Sequence, residues 1–140
     1  MELSKNLFQF TQDLFHRLSK EDQLKISSNG NFIDSPYLIS RIIDFSNHHQ
    51  ATGFAEAYKF NGNSNNVAFI VIAVLPEWRK QGIGSNLLEQ IEKDVFNKGY
   101  NKIIYRTSVT NKESQDLAKS NNYTMVNKSK NYINFVKKRG

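Results

Sequence analysis

The spacing of apolar residues changes along the chain. From Asn6 to Leu18, the residues Leu7, Phe10, Leu14, Phe15 and Leu18 recur at helical intervals and predict an amphipathic helix. Ser19 or Asp22 can open a second short helix. The stretch Ser28–Asp34, rich in Asn, Ser and Gly, reads as loop. Two strand-like runs follow, Tyr37–Phe45 and Ala51–Phe60, with the polar turn Ser46–Gln50 between them. A second polar turn, Asn61–Asn66, leads into VAFIVIAVL, Val67–Leu75. That run is apolar without alternation, the pattern of a strand buried on both faces. After Pro76–Gly84, a helix is expected over Ser85–Asn97, with Leu87, Leu88, Ile91 and Val95 on one stripe and Gly99 at its end. Lys102–Val109 reads as a strand and Asn111–Ser120 as a short helix capped by Thr110 or Asn111. Tyr123–Asn127 and Asn131–Val136 pair as a hairpin around Ser129–Lys130. With no repeat or linker in 140 residues, one domain over residues 1–140 is expected.

The segment PEWRKQGIGS, Pro76–Ser85, joins a strand to a helix N-terminus. The first N–H groups of a helix lack intrahelical partners, and the helix dipole adds positive potential there. Gly82 and Gly84 let the backbone bend and approach a ligand closely, and Arg79 and Lys80 add full charges. A pyrophosphate suits such a turn; a plain strand-to-helix connection is the other reading. Two better-known phosphate loops do not match. A Walker loop needs Lys-Ser/Thr after the last glycine, where Ser85-Asn86 stand. A dinucleotide fingerprint needs a small third residue, where Leu87 stands, and a first glycine straight after the strand.

Composition narrows the classes. Nineteen Lys and Arg against thirteen Asp and Glu give a net charge of +6, which favours anionic ligands. The basic residues are scattered without a nucleic-acid motif, so nucleic acid is the weaker expectation, and Lys137-Lys138-Arg139 reads as a solvated tail. The absence of cysteine excludes disulfides, thiolate metal sites and a cysteine nucleophile, and it suits a cytoplasmic location. No His–carboxylate spacing suggests a metal site; His48 and His49 lie in a polar turn. The segment MELSKNLFQF has no signal-peptide pattern, and no stretch is long and apolar enough to span a bilayer, so no membrane partner is expected.

The segment Arg79-Lys80-Gln81-Gly82-Ile83-Gly84 resembles the Arg/Gln-x-x-Gly-x-Gly/Ala motif of the GNAT superfamily of acetyl-CoA-dependent N-acetyltransferases, and "IAVLPEW" resembles that family's strand ending. Asn111, Ser114, Leu117 and the pair Asn122-Tyr123 stand at the spacing of a second family marker. The resemblance runs from about Leu38 to Val136. It implies an α/β fold whose mixed, mostly antiparallel central sheet has about six strands, flanked by about four helices and splayed between its two central strands. The family usually begins with a strand, whereas this chain begins with helical periodicity.

The resemblance also implies roles. Acetyl-CoA would be the acyl donor, with its pantetheine arm along Ile72, Ala73 and Val74 in the manner of an added strand. Its pyrophosphate would lie on Arg79, Lys80, Gln81, Gly82, Ile83, Gly84 and Ser85, and Asn111 would hold the arm. The N–H of Val74 would stabilise the thioester oxyanion. Acetyl would pass by direct attack to a primary amine: a small amine, a peptide N-terminus or a lysine. An alkyl amine is mostly protonated at neutral pH, so a base, acting directly or through water, is required. Relatives often carry a Glu base where this chain has Arg106 and a Tyr acid where it has Ala118. Glu56, between two alanines, is the replacement base considered, against a solvent-facing strand carboxylate. Ser114 contacts the thiol or a water, or is a plain helix-surface serine. Tyr123 is read as core packing, and Trp78 as an anchor of the turn. A CoA-binding sensor or interaction module that has lost catalysis is the alternative function. The protein is expected to act as a monomer or homodimer.

Overall fold

The computed structural model describes residues 2–20, 23, 37–45, 51–59 and 66–139, with residues 2–8 and 10 as backbone only. Helix α1 spans Glu2–Arg17. Strands β1 (Leu38–Asp44), β2 (Gly53–Lys59) and β3 (Val67–Val74) follow. A 3-10 turn at Pro76–Trp78 then leads to α2, Ile83–Asn97. The chain continues through β4 (Lys102–Ser108), α3 (Lys112–Ser120), β5 (Thr124–Lys128) and β6 (Tyr132–Lys138). Element types and order agree with the periodicity, including the helix at the start. Three α-helices stand among the described residues, against about four expected. The helix expected from Ser19 or Asp22 falls mostly outside the described residues, where Lys20 and Gln23 are helical. His48 and His49 also lie outside them.

The six strands form one sheet in the order β1-β2-β3-β4-β6-β5. All neighbours are antiparallel except β3 and β4. The stripe on α2 packs one face: Leu87, Leu88, Ile91 and Val95 are buried against Ala55, Ala57, Ala68, Ile70, Ile103 and Phe135. Alanines in β2 and β3 let the helix lie close, and each large aliphatic side chain buried there contributes about 1.5–3 kcal/mol. On the opposite face, Leu14 and Leu18 pack on Phe54, Ala73 and Leu75. Helix α2 is capped by Lys98 and followed by Gly99, whose φ of 98° is the left-handed conformation common just past a helix C-terminus.

Two expectations change. Strand β3 is not buried on both faces: Ala68, Ile70 and Ala73 are buried, while Phe69, Val71, Ile72 and Val74 are half-buried. Its unbroken apolar run serves partly covered faces and an open edge beside the gap. Lys137 does not belong to a solvated tail. It lies in β6 and donates to Glu92 Oε1 at 3.0 Å and to the Asn121 carbonyl at 3.1 Å.

Candidate functional site

Strands β3 and β4 pair only from Val67↔Lys102 to Ile70↔Tyr105. Beyond that point β3 runs on to Val74 and β4 to Ser108 without pairing. The Leu75 N–H donates to the Thr52 carbonyl at 2.9 Å, on the β2 side. Strand alternation therefore turns the backbone groups of Ala73 towards β2, and those of Ile72 and Val74 towards the gap. Arg79 Nε donates to the Val74 carbonyl at 2.9 Å, which fastens the following turn to the strand end. The Val74 N–H and both backbone groups of Ile72 remain aimed into the gap.

At the mouth of the gap the chain turns into α2. Lys80 (φ 63°) and Gly82 (φ 84°) are left-handed, so the turn is concave. Gly82 is the N-cap, and no side chain caps the helix. Its carbonyl accepts from the Asn86 N–H at 3.0 Å, while the earlier N–H groups precede the helical ladder. A Cβ built on Gly84 would lie 3.4 Å from Leu117 Cδ2, so this glycine sets how closely α3 approaches the turn. Trp78 packs against the core residues on both faces of the sheet, which makes it the anchor expected.

On the far side of the gap, Asn111 caps α3, its Oδ1 accepting from the Ser114 N–H at 3.2 Å. The Ser114 hydroxyl meets the Tyr105 hydroxyl at 2.8 Å. Tyr105 is 4% exposed, and burial pushes its phenol up to about 12, partly offset by the Ser114 hydrogen bond. The phenol therefore stays protonated. Either hydroxyl of the pair can donate to the other; when the phenol donates, the serine proton is free to point into the cleft. Ala118 follows one helical turn later and is fully buried in the core. Asn122 has φ 70°, a left-handed conformation that asparagine tolerates better than most residues, so it fills a glycine-like position. Tyr123 packs edge-on against Tyr105 at 5.9 Å between centroids, as the core reading expected.

These elements enclose a cleft of about 800 Å³. Of the residues singled out from the sequence, Ile72, Ala73, Val74, Arg79, Lys80, Gly82, Gly84, Ser85, Asn111 and Ser114 line it. Gln81 is exposed outside the lining, and the Ile83 side chain is buried in the core. Glu56 fits neither description considered for it. It is 1% exposed, accepts from Arg41 Nε at 2.6 Å and from the Tyr58 hydroxyl at 2.5 Å, and does not line the cleft. Arg106 is exposed at the cleft, with its Nε donating to Asn134 Oδ1 at 3.0 Å and its guanidinium 5.3 Å from the Tyr132 ring centroid. Sequence reasoning missed Tyr105. The available signal was strand alternation, which turns Tyr105 inward with Ile103 and gives a hydroxyl to a face shared with α3.

The model of the acetyltransferase (GNAT) family matches residues 6–123. No curated protein matches the chain. Among solved structures, the fold is similar to the GNAT domain of S. lividans PAT, at TM-score 0.75 and 10% identity over 94% of this chain and 85% of that one. It is similar to the Campylobacter jejuni N-acetyltransferase PseH in complex with acetyl coenzyme A, at TM-score 0.63 and 16% identity over 76% and 71% of the two chains. It is also similar to an N-acetyltransferase from Staphylococcus aureus Mu50, at TM-score 0.58 and 20% identity over 64% of this chain and 61% of that one. The chain thus spans less than two thirds of some of the proteins it matches.

Proposed function

Because this chain belongs to the GNAT acetyltransferase family, we propose that it transfers the acetyl group of acetyl-CoA to a primary amine. The observation that carries this reading is the parting of β3 and β4 after Ile70↔Tyr105, with a helix N-terminus at the mouth of the gap. A pantetheine arm has amides that match the free groups of Ile72, and a diphosphate matches the N–H groups at the start of α2. The net charge of +6 supports an anionic cosubstrate.

In this reading the amine nitrogen attacks the thioester carbon and forms the C–N bond. Negative charge gathers on the former carbonyl oxygen, where the Val74 N–H donates to it. The C–S bond then breaks. Ser114, oriented by Tyr105, donates a hydrogen bond to the departing thiolate. The proton lost by nitrogen goes to water, and the thiolate takes one from solvent. The ion pair with Arg41 occupies Glu56, so we assign it a structural role and no proton transfer.

Titration calorimetry with CoA, together with acetyl-CoA turnover against a panel of primary amines, tests the reading. We expect saturable CoA binding and an acceptor heavier by about 42 Da, the gain on replacing hydrogen by acetyl. Absence of CoA binding would refute it. Arg106 and Ala118, at positions where relatives often carry proton-transfer residues, favour a second reading, a CoA sensor; tight binding without turnover of any amine would select it.

A further inference from the structure

The sheet face opposite α2 carries a groove of about 590 Å³ over β2, β3, β4 and β6. Alternation in β4 turns Ile103 and Tyr105 to the α2 core and leaves Lys102, Ile104 and Arg106 on the groove side. Phe69 from β3 and Val136 from β6 complete an apolar floor with Ile104. Lys59 borders the groove at the end of β2, but it pairs with Ala68 and is in phase with the α2-facing alanines. Among the described residues, neither Lys59, Lys102 nor Arg106 has a carboxylate partner. No acidic residue is among the described residues lining the groove. Glu56 is the nearby acid on this face, next but one to Tyr58 in β2, and its charge is matched by Arg41. The groove adjoins the cleft, since Phe69 and Arg106 line both. Arg106 is the first β4 residue past the last β3–β4 pair, so it stands where the gap opens through the sheet.

We propose that this groove holds the acetyl acceptor and selects a small primary amine that also bears an anionic group and an apolar portion. The inference rests on the acetyl-transfer reading. Lys102 and Arg106, without a matching acid, repel a polyamine and attract a carboxylate or phosphate, and Phe69, Ile104 and Val136 take the apolar portion. A carboxylate held by a guanidinium gains a charge-assisted, bidentate contact that the corresponding amide forfeits. Arg106 therefore serves acceptor selection at the position where relatives carry a basic carboxylate.

The test uses purified protein, acetyl-CoA and matched acceptors: phenylalanine, phenylalanine amide, an aminoalkyl phosphate and spermidine. Thiol release and product mass give kcat/KM for each, and calorimetry gives CoA affinity. We expect phenylalanine or the aminoalkyl phosphate to exceed the amide by about tenfold or more, the scale of one hydrogen bond to a charged group. Which anion leads separates a carboxylate acceptor from a phosphate acceptor. Arg106→Gln and Lys102→Gln should each lower the acid-to-amide ratio, and the double variant should bring it near one. Equal or better turnover of the amide or spermidine, or a ratio unchanged in both variants, overturns the inference while leaving acetyl transfer standing. CoA binding with no acceptor acetylated also overturns it. Loss of CoA binding itself removes the underlying reading.

Discussion

Replacing Gly82 separates charge from shape at the proposed diphosphate site. A Cβ built there meets no heavy atom within 4 Å, so there is room for a side chain. The φ of 84° strains any L residue, by about 1 kcal/mol for the residues that tolerate the left-handed region best, which include Asn and Asp. Gly82→Asn and Gly82→Asp share that strain, and their side chains are nearly the same size. Both can cap α2, so both should fold. They differ by one charge beside the place proposed for the diphosphate. At roughly 5 Å, repulsion of one unit charge is about 0.8 kcal/mol in bulk water and about 3 kcal/mol at an effective dielectric of roughly 20. Gly82 is exposed, so the lower half of that range applies, about 1–2 kcal/mol or roughly a five- to thirtyfold weaker Kd for Asp than for Asn. Calorimetry of CoA against both variants reads the difference. Raising the salt to about 1 M should shrink it, because the screening length falls to about 3 Å. Pantetheine, which lacks the diphosphate, should bind the two variants alike. Equal CoA affinity at low salt, with both variants folded, would refute the assignment of the anion to this turn.

Tyr105→Phe removes the 2.8 Å partner of Ser114 and should lower stability by about 1 kcal/mol, while kcat falls more than the KM for acetyl-CoA rises; denaturant melts and steady-state rates check both. The Tyr105 phenol is held up to about 12 in the fold against an ordinary 10, so its contribution to stability is complete below pH 10 and is lost as pH rises towards 12, a loss that alkaline melts should show weakened in the Phe variant. Burial would raise the Asp94 carboxyl, but hydrogen bonds from Ser40 and Lys98 outweigh it and leave it below the usual value. Asp94 therefore stabilises the fold above the ordinary carboxylate range and ceases to do so as acid protonates it, and Asp94→Asn should flatten the acid limb of a stability–pH curve. A Cβ on Gly53 would lie 2.9 Å from the Ala73 carbonyl and 3.1 Å from Leu87 Cδ1, so Gly53→Ala should cost about 1–3 kcal/mol in a thermal or urea melt.

Periodicity carried most of the fold. The stripe Leu87, Leu88, Ile91 and Val95 located α2 and its buried face, and the change from helical spacing to short strand-like runs between polar turns located the strands. The turn between strand and helix was equally legible, since Pro76 and the pair Gly82 and Gly84 interrupt the apolar periodicity on either side. Beyond the β5–β6 hairpin, register across the sheet was not legible. Glu56 read as a cleft base or a solvated carboxylate because nothing local reveals that Arg41 lies opposite it in β1, fifteen residues away. Tyr105 escaped notice for a similar reason, as its value depends on Ser114 from another element. The apolar run of β3 suggested burial on both faces because a cleft edge and a covered face select the same residue types.

The short seam between β3 and β4 has a mechanical consequence. The sheet consists of two three-stranded plates, β1-β2-β3 and β4-β6-β5, welded along one end and open at the other like a clothes peg. A strip-like guest lying in the open end would bridge the plates, so occupancy and rigidity would rise together. At a hundred times its Kd such a guest would add about 2.7 kcal/mol to the folded state. Amide exchange at the free ends of the two inner strands would report the closing of the peg before any product formed.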